Sequence, residues 1–309
     1  MSIHLLQTFA MPESAETALA DRFVVHKLHT ADDPERLFDR VGTSIRAIAG
    51  VGVPKPLMDR LPALEIIANF GVGYDSIDVQ AAKARNIRVT NTPDVLNDAV
   101  AELTIGLMLS LARRLPQADR YVRENRWPLG NLPIFRELGG TTLGIVGLGR
   151  IGREIATRAQ AMKMRVVYHG RSHQPRQPYV FYPDLVDMAR DVDWLVALTP
   201  GGAGTEKLIS RAVLEALGPD GMFVNVARGS VADQDALIDL LANGGLGGAA
   251  LDVFADEPHV PEALRRMENV ILSPHQGSAT RETRDAMGAL VVTNLDAHFS
   301  GKSLLTPVA

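Results

Sequence analysis

Three side chains of complementary chemistry follow three apolar, strand-like segments in the second half of the sequence. Arg228 follows MFVNVA, Glu257 lies just beyond AALDVF, and His275 follows NVILSP. If these segments are parallel strands, their carboxyl ends share one edge of a sheet, which is where open α/β sheets bind ligands. An arginine, a carboxylate and an imidazole that meet at this edge would form a candidate catalytic site.

The three residue types suit the reduction of a carbonyl group. The guanidinium of Arg228 could orient a 2-oxo acid and stabilise charge on its oxygen. His275 could supply the proton, and a neighbouring Glu257 would fix the imidazole tautomer and favour its protonated form. In the reverse oxidation, neutral His275 would act as the base. Each residue alone has a simpler interpretation as a surface ion pair or a satisfied polar group, so the prediction depends on their convergence.

A glycine-rich turn upstream indicates the second reactant. Gly147, Gly149 and Gly152 form a G-x-G-x-x-G pattern between the strand-like TLGIV and the helical RIGREIATRAQAM. In that context the glycines permit a tight turn, a close approach of backbone to pyrophosphate, and close packing of helix on strand. The pattern predicts dinucleotide binding, and a turn kept only for packing is the alternative.

The segment VVYHGRS (166–172) bears on the choice of dinucleotide. Where an acid usually binds the adenosine ribose, the sequence has Gly170, followed by Arg171 and Ser172. An acid would repel a 2′-phosphate, whereas a cation and a hydroxyl can bind one. We therefore predict a preference for NADP(H), with NAD(H) as a second coenzyme. The structural alternative is that Arg171 only covers the adenine face.

The elements that must position these residues alternate regularly along the chain. From residue 141 onward, apolar strand-like segments are separated by helical ones, which predicts a parallel sheet covered on both faces. The first 90 residues repeat this pattern on a smaller scale. A long helix is predicted over 94–114, and a C-terminal helix over 280–301 is expected to pack back on the first unit.

These patterns predict an α/β fold of two Rossmann-like or flavodoxin-like domains with parallel sheets. The predicted domains are a discontinuous substrate-binding domain, 1–95 plus 281–309, and a dinucleotide-binding Rossmann domain, 96–280. Two domains joined by two crossings of the chain can hinge, so we expect the active site in the interdomain cleft.

Composition restricts the partners. The net charge is −4 and the basic residues are scattered, which predicts no binding of nucleic acid. The longest apolar segment (99–112) is shorter than the roughly 20 residues that span a membrane, and the N-terminus lacks the features of a secretion signal. The sequence has no cysteine. We expect a cytoplasmic protein without a membrane partner, and without a functional metal because the histidine-containing segments lack evident acidic partners.

Six sequence motifs lie within residues 45–290 and include the three candidate catalytic residues and the glycine-rich turn. They are NFGVGYDSID (69–78), NTPDVLNDAVAELTIGLML (91–109), GIVGLGRIG (144–152), VNVARGSVADQDAL (224–237), GAALDVFADEP (248–258) and SPHQGSAT (273–280). Together, and in this order, they resemble the D-isomer-specific 2-hydroxyacid dehydrogenases. The resemblance implies that Arg228 binds the substrate, that His275 is the catalytic histidine, and that Glu257 is the acid paired with it.

The resemblance also implies binding residues. The backbone amides of Val72 and Gly73 would hold the substrate carboxylate, and Asp252 would lie near the nicotinamide carboxamide. The remaining cofactor-binding residues that it implies are Gly147, Gly149, Arg150, Ile151, Gly152, Arg171, Ser172, Thr199, Pro200, Ala227, His275 and Gly277.

Within this family, several features indicate a subgroup. Formate dehydrogenases have glutamine in place of Glu257, and phosphoglycerate dehydrogenases often append a regulatory domain. The compact length and the segment NRWPLGNLP (125–133) look most like glyoxylate/hydroxypyruvate reductases, which implies a small 2-oxo acid substrate and a homodimer formed through the nucleotide domains. Val51, Val53 and Trp127 of a neighbouring subunit are candidates for contacts with the substrate side chain.

Two alternatives remain open at this point. The chain could be a dehydrogenase for another 2-oxo acid, such as pyruvate or phenylpyruvate. It could also resemble the corepressors of the same family, which sense dinucleotides and keep the arginine, glutamate and histidine. The sequence shows none of the partner-binding extensions expected of a corepressor.

Overall fold

Short apolar strands separated by helices build two parallel sheets in the computed structural model. The structure describes residues 2–308 and divides the chain into two compact units, Met1–Leu96 with Ser278–Ala309, and Asn97–Gly277. The observed boundaries lie at 96/97 and 277/278, where the predicted ones are 95/96 and 280/281. Met1 and Ala309, the outer ends of the predicted first domain, lie outside the described residues.

The first stretch of chain forms a five-stranded sheet. Its elements, in chain order, are β1 (His4–Gln7), α1 (Glu13–Ala20), β2 (Val24–Lys27), α2 (Pro34–Val41), β3 (Ile45–Gly50), α3 (Lys55–Asp59), β4 (Ile66–Asn69), α4 (Val79–Ala84) and β5 (Arg88–Thr90). The strands lie in the flavodoxin-like order β2-β1-β3-β4-β5, and all neighbours pair in parallel. Strand β4 is buried at every position, as expected of a central parallel strand.

The second unit contains a seven-stranded sheet. Its elements are α5 (Asn97–Arg113), α6 (Leu115–Arg123), β6 (Thr142–Val146), α7 (Arg150–Ala161), β7 (Arg165–His169), β8 (Val180–Tyr182), α8 (Leu185–Arg190), β9 (Trp194–Ala197), α9 (Arg211–Leu217), β10 (Met222–Asn225), α10 (Gln234–Asn243), β11 (Gly248–Leu251), α11 (Glu262–Arg266) and β12 (Val270–Leu272). The strand order is β12-β11-β10-β9-β6-β7-β8, with all neighbours parallel. The direction of winding reverses between β6 and β9, and such a switch point leaves a crevice at the carboxyl ends of the strands.

The chain returns to the first unit through α12 (Arg281–Phe299). Met287, Val291 and Leu295 recur at every fourth position and are buried, so they form one apolar face of the helix. This helix packs on α1 and β4. Gly288 allows the close approach, because a β-carbon there would lie 2.6 Å from the β-carbon of Ala15.

The predicted α/β class with two parallel sheets is confirmed. The long helix predicted over 94–114 is α5, and the C-terminal helix packs within the first unit as expected. Across residues 2–308, no helix is both long enough and apolar enough to cross a bilayer.

Candidate active site

The glycine-rich turn joins β6 to α7 at the switch point of the second sheet, and its glycines meet different steric demands. Gly147 has a positive φ of 102°, and a β-carbon on it would lie 3.3 Å from the backbone of Leu198 and Thr199. A β-carbon on Gly152 would lie 2.6 Å from the carbonyl oxygen of Gly147, so only glycine lets the helix pack against the turn. A β-carbon on Gly149 would meet open space. These are the steric requirements of a dinucleotide turn.

A buried hydroxyl beside this turn supports the fit of a dinucleotide. Within residues 2–308, Oγ1 of Thr199 is buried and has no hydrogen-bond partner. A buried polar atom left in this way is costly unless a ligand satisfies it. Thr199 follows β9, the strand beside the turn, as a contact with the cofactor would require. Of the other predicted contacts, Arg150 and Ile151 begin α7, and Pro200 is exposed.

The segment after β7 has the open geometry that its sequence predicts. A β-carbon on Gly170 would have no atom within 4 Å. Arg171 and Ser172, which follow it, are both exposed. The structure therefore leaves space at the position where an acid would select against a 2′-phosphate, and it leaves the neighbouring cation and hydroxyl accessible.

Gln174, which the sequence does not single out, fastens this segment to the glycine turn. Its backbone N–H donates to the hydroxyl of the buried Tyr168 over 2.7 Å, and its Nε2 donates to the carbonyl of Leu148 over 3.0 Å. The second bond joins residues 26 positions apart, so no local sequence pattern predicts it.

The three predicted catalytic residues follow three adjacent strands. Arg228 comes after β10, Glu257 after β11 and His275 after β12. Nδ1 of His275 lies 2.8 Å from Oε2 of Glu257, and the side chains are 49% and 33% exposed. The structure thus joins the imidazole and the carboxylate in a solvent-accessible pair at the carboxyl edge of the sheet.

Glu257 is held as a carboxylate. Partial burial raises its pKa, but hydrogen bonds from His275 and the backbone N–H of Phe254, with the positive charges of His275 and Arg228, outweigh that effect. The pKa of Glu257 therefore lies below its ordinary value. Its ionised oxygen fixes the Nδ1 side of the imidazole and leaves Nε2 as the ring atom available to a substrate.

His275 has a strained backbone, and Asp252 holds it. Its φ is +54°, a left-handed conformation that costs free energy for any residue but glycine. The N–H of His275 donates to the carbonyl of Asp252 over 2.8 Å. The buried carboxylate of Asp252 accepts from Oγ of Ser273 at 2.5 Å and from the amides of Gln276 and Gly277 at 2.7 and 2.9 Å.

These bonds give Asp252 a visible role in shaping the loop that carries the histidine. Its contact with the nicotinamide carboxamide stays a prediction. Ser273 and Gln276 were not predicted, and the only sequence signal for them is that polar residues flank the histidine in SPHQG.

Arg228 is positioned by a second buried polar residue, Asn225, which no sequence motif singles out. The side chain of Asn225 donates to the carbonyl of Arg228 over 3.0 Å and accepts from the N–H of Ala227 over 3.1 Å. The Arg228 guanidinium donates to the Ala227 carbonyl over 2.7 Å. A β-carbon on Gly229 would lie 1.9 Å from backbone atoms of Phe254, so this glycine keeps the β10 and β11 loops in contact.

In the first unit, the loop at Val72 and Gly73 has the hydrogen bonding expected of an anion-binding loop. The side chain of Asn69 donates to the carbonyls of Gly71 and Gly73, and that of Asn91 donates to the carbonyl of Val72, each over 2.9 Å. In the part of the chain that the structure describes, the backbone N–H groups of Val72 and Gly73 have no acceptor. They are available to a carboxylate.

The residues suggested for the substrate side chain differ in placement. Val53 is completely buried in the first unit, so it does not face a ligand, and the prediction for it is wrong. Its side chain completes a core instead of lining a surface loop. Trp127 is 63% exposed in a short 3-10 turn, Trp127–Leu129. No group of three or more metal-ligating side chains occurs among residues 2–308.

Comparison with known proteins identifies the family. The model for the D-isomer specific 2-hydroxyacid dehydrogenase, NAD binding domain, matches residues 105–277. Over 310 aligned residues the chain is 47% identical to the glyoxylate/hydroxypyruvate reductase A of Arabidopsis thaliana, with 99% of each protein covered. The chain belongs to the D-isomer-specific 2-hydroxyacid dehydrogenases. The predicted family is confirmed, and with it the assignment of an NAD(P)-dependent oxidoreductase.

This 2-hydroxyacid dehydrogenase has further relatives with related activities. It is 44% identical to the hydroxyphenylpyruvate reductase of Plectranthus scutellarioides, with 99% of each covered. It also matches the crystal structure of the NADPH-dependent glyoxylate/hydroxypyruvate reductase of Sinorhizobium meliloti in complex with NADP and malonate. That match has a TM-score of 0.95 and 45% identity, and it covers 100% of this chain and 97% of the other.

Proposed function

We propose that this dehydrogenase reduces glyoxylate and hydroxypyruvate and prefers NADPH as coenzyme. The observation that carries the proposal is the His275–Glu257 pair, 2.8 Å apart at the carboxyl edge of the nucleotide-binding sheet. A histidine kept in place by a carboxylate provides the proton donor that reduction of a ketone or aldehyde requires. The names of the Arabidopsis and Sinorhizobium relatives support the choice of substrate and coenzyme.

In this proposal, different residues of the chain have different roles in the reduction. Reduced nicotinamide, when bound, supplies the hydride for the carbonyl carbon. His275 gives its Nε2 proton to the carbonyl oxygen, and Glu257 stabilises the imidazolium before the transfer. Arg228 orients the substrate and polarises its carbonyl. Solvent can reprotonate His275, because the side chain is 49% exposed.

The binding roles rest on separate features. The glycine turn and the Thr199 hydroxyl would hold the dinucleotide. Arg171 and Ser172 would bind the 2′-phosphate that distinguishes NADPH from NADH. The amides of Val72 and Gly73 would bind the substrate carboxylate. These assignments follow the residues predicted from the sequence.

A homodimer is part of the proposal. Helix α6 has no buried residue, and the chain beyond it exposes large apolar side chains, with Leu129 at 85% and Ile134 at 99% exposure. Such a cluster on one segment indicates a protein interface. A second copy is the occupant expected from the family resemblance, and sedimentation equilibrium would contradict this if it gave a monomer.

We also propose a cytoplasmic location, in keeping with a chain that has no cysteine.

The substrate is tested with a panel of 2-oxo acids at fixed NADPH. We expect the highest kcat/KM with glyoxylate or hydroxypyruvate. A clear preference for pyruvate, phenylpyruvate or 4-hydroxyphenylpyruvate would replace the substrate but keep the reaction. Binding of NADPH without turnover of any member of the panel would favour the corepressor alternative.

A further inference from the structure

Arg284 is a cation without an anionic partner in the first unit. It lies in the first turn of α12 and is partly buried. Across residues 2–308 its guanidinium makes no ion pair or hydrogen bond, and its recorded contact is with the ring of Phe70, 5.5 Å from Cζ to the ring centroid. Burial lowers the pKa of Arg284, and no neighbouring charge restores it.

Two other arginines of the first unit have carboxylate partners. Arg46 donates to Glu65 over 2.5 Å, and Arg22 donates to Asp296 over 3.0 Å. Even the acid next to Arg284 is engaged elsewhere, because Asp285 accepts a hydrogen bond from Ser14 over 2.6 Å. A partly buried guanidinium that has neither a carboxylate nor another hydrogen-bond acceptor is a position that an anionic ligand would stabilise.

The position of Arg284 indicates which class of ligand its guanidinium would bind. Phe70, on which the guanidinium lies, is the residue directly after β4 and leads into the loop of Gly71–Gly73. That loop turns its carbonyls toward Asn69 and Asn91 and leaves the N–H groups of Val72 and Gly73 without an acceptor. A cation and a row of amide donors at one strand end favour a small anion.

We propose that Arg284 is a substrate-binding residue that binds the carboxylate of the 2-oxo acid together with the Val72 and Gly73 amides. The guanidinium fork matches a carboxylate, and the face of Phe70 stabilises the cation while it is partly desolvated. The proposal rests on the proposed function for the identity of the substrate. Because Arg284 holds the carboxylate and moves no proton, its removal raises KM and leaves kcat nearly unchanged.

The test compares Arg284→Gln and Arg284→Lys with the matched control Arg281→Gln. Arg281 lies in the same helical turn, is exposed, and loses the same charge on substitution. With glyoxylate at saturating NADPH, Arg284→Gln should raise KM by about 10- to 100-fold, the loss expected of a charge-assisted hydrogen bond. Arg284→Lys should recover part of this loss, and Arg281→Gln should behave as wild type.

Binding of oxalate, an unreactive carboxylate, gives a second readout by calorimetry with the NADP-loaded enzyme. Arg284→Gln should weaken it by a similar factor, and circular dichroism verifies that the variant is folded. Unchanged KM and oxalate affinity in a folded Arg284→Gln would overturn the inference while leaving the proposed function intact. If wild type turned over no 2-oxo acid but bound oxalate through Arg284, the function would fail and the carboxylate site would stand.

Discussion

Nδ1 of His275 and Oε2 of Glu257 lie 2.8 Å apart although the two residues are 18 positions apart in the sequence. The distance is that of a charge-assisted hydrogen bond, and the low pKa of Glu257 keeps the carboxylate ionised in the neutral range. The chemistry of the site depends on this pair.

Glu257→Gln should therefore lower kcat for glyoxylate reduction by about 10- to 100-fold, because the amide keeps the shape but cannot stabilise an imidazolium. The pKa of Glu257 also predicts a pH effect. Because the pKa of Glu257 is lowered, its carboxylate remains charged as the pH falls through 4.5, the ordinary value for Glu. In wild type the carboxylate becomes protonated only at lower pH. Steady-state kinetics from pH 4 to 9 check both points, and a Glu257→Gln variant as active as wild type would show that the carboxylate is dispensable.

Coenzyme preference should change at Gly170 and Arg171. Arg171→Ala should raise KM for NADPH far more than KM for NADH, because only NADPH has the 2′-phosphate. Gly170→Asp places an acid in open space, so it should fold normally and reverse the preference toward NADH. Initial rates with both coenzymes test this. Equal effects of Arg171→Ala on the two coenzymes would mean that the guanidinium only covers the adenine.

Two glycines of the turn should respond differently to alanine. Gly152→Ala places a methyl group 2.6 Å from the Gly147 carbonyl, and we expect a loss of about 1–3 kcal/mol in the free energy of unfolding. Gly149→Ala meets no protein atom, so the thermal midpoint should stay while KM for NADPH rises. Thermal denaturation and kinetics on both variants measure this. A Gly149→Ala variant with unchanged KM would argue against a dinucleotide beside that glycine.

Acid should destabilise the first unit through Glu16. Hydrogen bonding from Lys27 does most to lower its pKa, which falls from 4.5 to about 2, with further bonds from Gln7 and the N–H of Met11. Because the folded-state pKa is the lower one, the stabilisation is full above pH 4.5 and is lost as the pH falls toward 2.

Glu16→Gln should accordingly lower the free energy of unfolding by about 1–2 kcal/mol at pH 7 and by much less near pH 2, after allowance for solvent screening. Glu13→Gln is the matched control, since Glu13 lies in the same helical turn and is exposed. Thermal midpoints of the three proteins at pH 7 and near pH 2 provide the measurement. A constant difference between wild type and Glu16→Gln at both pH values would contradict the assignment.

The sequence contained much of the fold and the placement of the reactive residues. The sequence predicts Arg228, Glu257 and His275 at one sheet edge because parallel strands end together, and it predicts the glycine turn between a strand and a helix, where the structure has it. Strands β2 and β8 are harder to predict from sequence, because they are short, lie at sheet edges, are partly exposed and lack the apolar run of a central strand.

The supporting residues could not be predicted, because their roles arise only in the folded chain. Asp252 holds Ser273 across 21 positions, and Gln174 reaches Leu148 across 26. Arg284 differs by having no anionic partner among the described residues, and a sequence cannot show whether a side chain has a partner. Sequence motifs therefore predict the reactive side chains, whereas the residues that orient them are identified only by contacts in the folded chain.

The role of His275 as proton donor is tested most directly by the rate of glyoxylate reduction by NADPH in wild type and in His275→Gln. We predict turnover by wild type, and a loss of kcat by about 100- to 10,000-fold in His275→Gln with NADPH still bound, because the proton donor is gone. A His275→Gln variant that reduces glyoxylate at the wild-type rate would show that His275 is not the proton donor.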